Sequence, residues 1–343
     1  MNSFERIEST IKGDPLDRRA FIPILSLYGA RMTSCSIKKF YSDPEAYTAG
    51  QMAVYDEFKP DMLFGPFAFA LIGAAFGSEL KFSEFEAPNI KRPGVLSFAQ
   101  WEKMALPDID TNPYLLYFRE SIRLISIACE GKVQIAACLP APIDIPALVF
   151  GMDRWLELVL FESEQAELVL DKVNRFFVQL ANCLFDEGAM VTFLPCGYAS
   201  PAILPRNLVE SLLRPKLRQA LGQLKGPSIL HHAGTIMLDH LDILTGLPSA
   251  IGYALLHTEG LSKARQILGP DPILLSGPHG PSLDQLESSQ IEQISRSILE
   301  DRDREKDRHF ILVTLGADVL YHTPPENLHA MRKALADVGW NAS

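Results

Sequence analysis

The chain has few cysteines and none of the cysteine patterns that mark secreted or zinc-finger proteins. Its five cysteines are scattered over 343 residues, and no two of them form a CxxC pair. An odd and dispersed set does not suit a disulfide framework, so most of these thiols are expected to be small core side chains in a reducing compartment. The cysteine usage therefore favours a cytoplasmic protein.

Long apolar runs and excess positive charge are also missing. No run approaches the roughly 18 apolar residues of a membrane span without interruption by charge or proline. The first eight residues mix charged and apolar side chains, unlike a signal or transit peptide. The formal net charge of −10 argues against a general nucleic-acid or anionic-membrane surface. Small molecules and proteins remain as expected partners.

No GxGxxG motif follows the first predicted strand, which disfavours a dinucleotide-binding open sheet. The chain instead alternates short apolar strands with helices, and the predicted strands cover residues 21–27, 61–64, 133–139, 191–194, 228–231, 250–256, 272–275 and 310–313. Eight near-continuous apolar strands indicate a parallel sheet that is buried on both faces. The count and the length favour an α/β fold with a single (β/α)8 barrel domain over residues 1–343 rather than a doubly wound sheet.

Two additions to this barrel are predicted. A short amphipathic helix over residues 4–12 precedes the first strand, and a hairpin-like insertion over residues 81–95 follows the second strand. The insertion alternates apolar and acidic residues, and no linker separates it from the barrel. We therefore expect one domain rather than two.

The stretch over residues 228–234 is an apolar run that ends in two histidines and a glycine. The carboxyl ends of barrel strands carry the functional groups of this fold. His231 and His232 end strand five, His257 ends strand six, His279 ends strand seven, and His322 lies in the loop after strand eight. Neutral imidazole is a metal ligand and a general base near neutral pH. A single strand-end histidine is often only a hydrogen-bonded loop residue, but four consecutive strands suggest one shared site.

Side chains on a strand alternate between its two faces, so only one histidine of the adjacent pair points into the barrel. We expect His231 to point inward and His232 to pack outward. Cys196 is the one cysteine at the carboxyl end of a strand, where it is either a buried thiol or a thiolate ligand. Tyr28, Arg31 and Tyr198 are expected to face the same mouth. Arg31 is either a partner for an anionic substrate group or an ordinary surface arginine.

Several short motifs together resemble one known family. They are Gly13-x3-Asp17-Arg18, Ser42-Asp43-Pro44-Glu45, Ala199-Ser200-Pro201, Leu230-His231-x-x-Gly234 and Gly316-x-Asp318-x4-Thr323-Pro324-Pro325-Glu326-Asn327. This set is similar to the uroporphyrinogen decarboxylase superfamily, and most similar to its corrinoid-dependent methyltransferase branch of the methylcobalamin:coenzyme M type. The resemblance spans essentially the whole chain, the last motif is the most specific, and members of this superfamily are (β/α)8 barrels.

The resemblance implies a zinc site that this sequence does not retain. In that branch a His-x-Cys pair after strand five and a cysteine after strand eight hold zinc, which activates a thiol that takes a methyl group from cobalt. His231 keeps the histidine position, but Ala233 and Ala317 stand where the two cysteines would be. Zinc normally needs three protein ligands plus an open position, so the family's own site cannot form here.

A rebuilt metal site is one hypothesis. Cys196, His257, His279 or His322 could join His231 as zinc ligands, and imidazole ligands would leave a more Lewis-acidic metal, suited to an oxygen-bearing substrate such as a methyl ether. Tyr28, His279 and Asp318 are expected to bind the corrinoid (cobalamin) cofactor, which sits on a substrate or on a partner protein.

These observations leave three functional interpretations. The first is a corrinoid-dependent methyltransferase component with His231, Cys196, Tyr198 and Arg31 as catalytic residues, acting on a small methyl donor or acceptor and a corrinoid carrier protein. The second is a tetrapyrrole decarboxylase. That branch uses an arginine-rich segment and an aspartate, whereas residues 27–31 keep one arginine and residues 64–68 have no aspartate, which leaves the tetrapyrrole carboxylates unpaired. The third is a non-catalytic barrel that binds a corrinoid or a protein.

Overall fold

The computed structural model describes residues 1–316 and 318–338. Its main sheet has eight parallel strands, which we number β1–β8. They are β1 Phe21–Ile22, β2 Met62–Phe64, β3 Gln134–Cys138, β4 Val191–Pro195, β5 Ser228–His231, β6 Ala250–Ala254, β7 Ile273–Ser276 and β8 Phe310–Val313. The predicted (β/α)8 barrel is confirmed.

The strands follow one another around the barrel, because from β2 to β8 each strand pairs with the next one in sequence and β8 pairs with β1. The remaining junction, between β1 and β2, is made by Asp61. Its backbone N–H donates to the Phe21 carbonyl over 2.8 Å, and its carboxylate accepts the Phe21 N–H over 2.8 Å. Arg6 and Arg18 donate to the same buried carboxylate over 2.5 and 2.6 Å. These contacts bring the ends of the sheet together at the amino-terminal side of the barrel.

Helices pack around the strands. Their bounds are Ser3–Lys12, Tyr28–Met32, Ile37–Phe40, Pro44–Phe58, Ala70–Ala75, Phe98–Lys103, Pro113–Cys129, Ile145–Phe150, Met152–Phe161, Ser163–Asp186, Arg206–Leu208, Arg214–Leu221, Leu241–Leu244, Leu261–Leu268, Gly280–Gln285, Ser288–Arg304 and Pro325–Asp337. Shorter turns of 3₁₀ helix cover Gly197–Ala199, Leu238–His240 and His257–Glu259, and a π-helical turn covers Val209–Leu213. Within the described ranges, no helix is long and apolar enough to cross a membrane.

Local sequence sets several of these helix starts. Asn2 and Glu5 form a capping box at the first helix, where each side chain accepts the other residue's backbone N–H. Asp43 caps the helix Pro44–Phe58, and Pro44 occupies its first turn, where a missing N–H costs nothing. Strand β1 stops at Ile22, earlier than the predicted end at Leu27, and the segment predicted as the following loop forms the short helix Tyr28–Met32. Pro23 explains the stop, because proline has no N–H to give to the sheet.

The predicted insertion is a two-stranded antiparallel hairpin, Glu79–Lys81 paired with Asn89–Arg92. Ser78 holds it against the barrel, since its hydroxyl donates to the Leu148 carbonyl over 2.8 Å. The hairpin therefore lies beside the helix Ile145–Phe150 at one side of the barrel mouth.

Apolar side chains form two layers. One layer fills the barrel interior and includes Phe64, Cys138, Phe193 and Ile229. The other lies between the strands and the helices and includes Leu230. Strand β5 therefore alternates inward and outward as the sequence predicts. Because Leu230 points outward, His231, which follows it, points into the barrel.

Candidate active site

A cavity of about 670 Å³ opens at the carboxyl ends of β2 to β5. Ligand pockets in proteins typically measure about 300–1,000 Å³. The cavity is lined by Phe67, Phe69, Asn89, Ile90, Lys91, Pro93, Pro140, Asp144, Ala147, Leu148, Gly151, Met152, Asp153, Pro195, Tyr198, His231 and Ala233. The hairpin insertion supplies one wall, and the segments at the strand ends supply the floor, which carries Asp144, Tyr198 and His231.

His231 lies on the cavity floor, fully buried, with its ring centroid 5.2 Å from that of Phe193. The backbone N–H of Ala233 donates to His231 Nδ1 over 3.0 Å. Burial lowers the pKa of this imidazole well below its ordinary value, so the ring is neutral at neutral pH. Because Nδ1 accepts, the proton of the neutral ring sits on Nε2, which is buried and has no hydrogen-bond partner in the described part of the chain. His231 therefore offers an N–H donor to the cavity.

Two successive residues with positive φ create this arrangement. Ala233 has φ of 55° and Gly234 has φ of 80°. The left-handed turn brings the Ala233 N–H back to the ring of His231, while the Ala233 side chain faces the cavity. Alanine pays about 1–2 kcal/mol for this conformation. The nitrogen lone pair that a metal would need is thus engaged by the backbone.

Asp144 is the site residue that the sequence reasoning missed. It follows β3, and its Oδ1 accepts the backbone N–H groups of Gly197 over 2.7 Å and Tyr198 over 3.4 Å. Oδ2 is buried without a partner. Burial raises the pKa of Asp144 to about 8, although the two N–H groups act in the opposite direction. The carboxyl is therefore mostly protonated at neutral pH, and its proton belongs on Oδ2.

A sequence signal for Asp144 did exist. The segment over residues 140–144 places an acidic residue directly after a strand, between two prolines and an apolar helix. Histidines and cysteines at strand ends stand out in this sequence, whereas an isolated aspartate has no such distinctive pattern. Gly197 completes the site because a Cβ there would lie 3.0 Å from Asp144 Oδ1, which is tighter than ordinary contact.

Tyr198 supplies the third polar group. It lines the cavity, its hydroxyl is buried without a hydrogen-bond partner, and its ring packs edge-on against Trp155 at 6.4 Å. Burial raises the pKa of Tyr198, and the nearby Asp144 and Asp153 act in the same direction. The phenol therefore stays protonated. His231, Asp144 and Tyr198 are three neutral donors without partners, and all three line one cavity.

The other predicted histidines lie elsewhere. His257 Nδ1 is 3.1 Å from the Gly277 carbonyl, and His279 precedes the helix Gly280–Gln285. His322 is exposed, and its ring packs at 4.5 Å against Phe85 of the insertion. None of these three is among the described residues that line the cavity. His232 stacks 4.3 Å from His231, and burial lowers its pKa to about 4.

Cys196 also points away from the cavity. Its thiol is buried in the layer between strands and helices, and Sγ donates to the Leu194 carbonyl over 3.2 Å. Burial raises the pKa of this thiol well above its ordinary value, with Asp144 adding to the effect. A protonated, internally bonded thiol is neither a nucleophile nor a metal ligand. The expected reactive role of Cys196 therefore does not fit this structure.

The predicted metal-ligand set is not assembled. Across residues 1–316 and 318–338, no three side chains of His, Cys, Asp or Glu lie close enough together to hold a metal ion. His231 turns its lone pair to the backbone, Cys196 is buried elsewhere, and the remaining histidines are distributed along other strands. Ala317, which stands at the position of the family's second zinc-ligand cysteine, lies outside the described residues. The described residues thus do not fit zinc.

Tyr28 and Arg31 form hydrogen bonds with the loop that follows β8. The Tyr28 hydroxyl donates to the Thr323 carbonyl over 2.7 Å, and Arg31 Nη1 donates to Tyr28 Oη over 2.9 Å and to the Tyr321 carbonyl over 3.1 Å. The Arg31 guanidinium also lies over the Tyr28 ring, at 5.1 Å. Neither residue is among the described residues that line the cavity, and both make their contacts at the loop that follows β8. They fasten the loop after β8 to the short helix after β1.

Asp318, predicted to bind a cofactor, lies in the same region. Its Oδ2 accepts the Leu27 N–H over 2.6 Å, and Oδ1 is buried without a partner among the described residues. Burial raises its pKa to about 8. The residue is not among the described residues that line the cavity, and its visible contact is to the backbone that follows β1.

Comparison with known proteins agrees with this architecture. The sequence model described as uroporphyrinogen decarboxylase (URO-D) matches residues 2–338. A methyltransferase from Methanosarcina mazei has a similar structure, with a TM-score of 0.88 and 16% identity over 98% of this chain and 99% of that chain. No curated protein matches the chain.

More distant similarity extends to methionine synthases. A putative vitamin-B12 independent methionine synthase from Listeria monocytogenes gives a TM-score of 0.56 with 14% identity, over 94% of this chain and 97% of that chain. A B12-independent methionine synthase from Shewanella gives 0.58 with 12% identity, over the same shares of the two chains. At these identities the likeness shows a shared fold.

Proposed function

The chain belongs to the uroporphyrinogen decarboxylase family, and on that premise we propose that it is a methyltransferase that removes a methyl group from an oxygen atom of a small substrate. The methyl acceptor in this proposal is a corrinoid, presented by a carrier protein at the mouth of the cavity. The methyltransferase of similar structure from Methanosarcina mazei supports this class of reaction.

One observation carries the proposal. His231 Nε2, Asp144 Oδ2 and the Tyr198 hydroxyl are buried polar atoms without partners in residues 1–316 and 318–338, and the three residues line the same cavity. A buried donor without a partner costs about 1–3 kcal/mol. A bound substrate with an acceptor oxygen would recover that cost, whereas a purely apolar substrate would not. The cavity is therefore matched to an oxygen-bearing ligand.

The same groups suit the chemistry of an ether. When the carbon–oxygen bond to the methyl group breaks, the bonding electrons stay on oxygen, and the methyl group passes to the nucleophilic acceptor. The oxygen then needs a proton. Asp144 can supply it, because a pKa of about 8 keeps this carboxyl protonated at neutral pH yet makes it acidic enough to release the proton. The His231 and Tyr198 donors would stabilise the charge that develops on oxygen.

The decarboxylase alternative has less support from the cavity. Of the described residues that line it, Lys91 is the one with a full positive charge, and Asp144 and Asp153 are acids. A tetrapyrrole with many carboxylates would lose its hydration there without receiving matching cations. The methyl-transfer assay described next distinguishes the proposed enzyme from a non-catalytic corrinoid-binding barrel.

The test uses purified protein, anisole as methyl donor and free cob(I)alamin as acceptor. We expect the visible spectrum of cob(I)alamin to change to that of methylcobalamin, with phenol formed in equal amount. Asp144→Asn keeps the acceptor oxygen for the Gly197 N–H and still donates a hydrogen bond, but it has no acidic proton. We expect it to lower kcat by about 100-fold or more. Asp56→Asn, on the surface beside Lys59, is the matched control.

Other outcomes would contradict the proposal. Loss of carboxyl groups from uroporphyrinogen would favour the decarboxylase. Binding of cobalamin without transfer from a panel of alkyl and aryl methyl ethers would favour the non-catalytic barrel. Full activity of Asp144→Asn would remove Asp144 as the proton donor.

A further inference from the structure

We infer that the cavity selects uncharged methyl donors with an apolar body and rejects donors that carry a carboxylate or a sulfonate. This inference rests on the proposed function, because it names the substrate class of the same site. It is carried by the distribution of charge around the cavity and by the apolar character of its walls.

The cation of the cavity lining is paired with a carboxylate of the hairpin, Glu79, which also lies 3.6 Å from Arg92 Nε. Lys91 Nζ lies 2.5 Å from Glu79 Oε1, across the two strands of the hairpin. Lys91 is the single lysine or arginine among the described lining residues, and the undescribed residues 317 and 339–343 include neither type. Asp153, also in the lining, is an exposed carboxylate. An anionic substrate would therefore meet one compensated cation and one acidic residue.

The buried donors do not replace a cation. His231, Asp144 and Tyr198 are neutral, so each gives a hydrogen bond but no net charge. A carboxylate that leaves water for this floor would keep its full charge among neutral groups, and burial of an unpaired charge is expensive. The floor accommodates an ether or hydroxyl oxygen at much lower cost.

The walls favour an apolar body of aromatic size. Phe67 and Phe69 both line the cavity, and their ring centroids are 4.5 Å apart at an angle of 40°. The remaining apolar lining is contributed by Ile90, Pro93, Pro140, Ala147, Leu148, Met152 and Pro195. Rings and prolines of this kind present flat surfaces that suit a planar ligand.

The inference is tested with ligands of one shape and different charge. Binding of 4-methoxybenzamide, 4-methoxybenzoate and 4-methoxybenzylamine to the full-length protein is measured by titration calorimetry near pH 7. We expect the neutral amide to bind at least about tenfold more tightly than the benzoate. Equal or tighter binding of the benzoate, or no binding of any of the three ligands, would overturn the inference.

A variant locates the source of the selectivity. Glu79→Gln removes the partner of Lys91 and should raise the affinity for the benzoate by about threefold or more, while the affinity for the amide stays unchanged. Glu130→Gln, which breaks the exposed pair with Lys132 at 3.0 Å on another part of the surface, is the matched control and should change neither affinity. An unchanged ratio in Glu79→Gln would show that the hairpin pair does not control charge selection.

The proposed reaction and the proposed charge selection can be disproved independently. Selective binding of the amide without methyl transfer to cob(I)alamin would leave the binding inference standing and remove the proposed reaction. Methyl transfer that proceeds faster from 4-methoxybenzoate than from the amide would retain the reaction and overturn the charge selection.

Discussion

At the scale of single residues, the site depends on protonation states that burial sets. His231 and Asp144 both lie in the cavity, and burial shifts each pKa toward the neutral form: downward for the imidazole and upward for the carboxyl. A backbone N–H then determines which atom keeps the proton, because Ala233 occupies Nδ1 of His231 and Gly197 occupies Oδ1 of Asp144. Two residues that are commonly bases are therefore held as donors.

Activity should fall at alkaline pH for this reason. Asp144 has a pKa of about 8 in the folded protein, so kcat/KM should decline about tenfold per pH unit above that value as the proton donor is lost. A pH–rate profile from about pH 6 to about pH 10 measures it. A profile that stays flat across this range would show that Asp144 does not supply the proton.

Stability should also fall as pH rises, with a sign that follows from proton binding. Asp144 and Asp318 both keep a proton up to about pH 8 in the folded state, whereas unfolded aspartate releases it near pH 4. The native state therefore binds more protons over this window, and the free energy of unfolding decreases with pH. Between about pH 6 and about pH 8 we expect a loss of about 2 kcal/mol for each carboxyl. Urea titrations of the wild type and of Asp318→Asn, which should lose less, provide the measurement.

Arg31 illustrates a residue whose role is structural. Its guanidinium donates to Tyr28 and to the Tyr321 carbonyl, so Arg31→Gln should lower the free energy of unfolding by about 2–3 kcal/mol. Arg123→Gln, in an exposed pair with Glu120, should cost less than about 1 kcal/mol. If Arg31→Gln has normal stability but binds its methyl donor poorly, the role of Arg31 is substrate binding rather than structural support.

At the scale of elements, the hairpin insertion and the helix Ile145–Phe150 shape the cavity. The hairpin supplies Ile90 and Lys91 to one wall, and the helix supplies Leu148. The helix Ala70–Ala75 lies behind them, and Gly73 permits this close packing. A Cβ at Gly73 would lie 2.6 Å from the Leu148 carbonyl oxygen and 2.8 Å from Ile90 Cδ1.

Gly73→Ala should therefore disturb binding more than chemistry. We expect the wall to shift and KM for the methyl donor to rise about tenfold, with a smaller change in kcat, because Asp144 and His231 lie on other elements. Gly131→Ala is the control: φ there is +72° and a Cβ meets nothing within 4 Å. It should cost about 1 kcal/mol of stability and leave KM unchanged. A normal KM in Gly73→Ala would show that the wall tolerates the shift.

At the scale of the whole molecule, the two ends of the barrel have different tasks. The carboxyl ends of the strands carry the cavity, while the amino ends carry the closure between β1 and β2. Asp61 is fully buried there and receives two arginines and a backbone N–H. Charged contacts at this end stabilise the fold without touching the site.

Asp61→Ala should destabilise the protein strongly, because it removes the fully buried one of the two carboxylates that pair with Arg6 and it removes the link at the barrel junction. Loss of one member of a buried pair costs about 3–5 kcal/mol. Urea unfolding followed by circular dichroism measures this loss. Asp56→Asn, whose pair with Lys59 is exposed, should change stability by less than about 1 kcal/mol. Equal effects in the two variants would show that Asp61 is not the closing contact.

The amino-acid sequence by itself determined the barrel and much of its detail. Strand β8 covers Phe310–Val313, as the apolar run predicts, and the hairpin lies after β2. His231 lies in the cavity, as alternation along β5 predicts. These features depend on local pattern, namely apolar runs, caps and a period of two, which can be read in a single sequence.

Only the tertiary structure decided which strand ends share a cavity. The histidines after strands five to eight suggested a site on that side, but the cavity lies over β2 to β5, where Asp144 joins the predicted His231 and Tyr198 in the lining. Cys196 is two residues from Tyr198, yet only Tyr198 of the two is among the described residues that line the cavity. The direction of a side chain beyond a strand depends on the loop backbone, and its protonation depends on burial by distant segments, so neither property is encoded in local pattern.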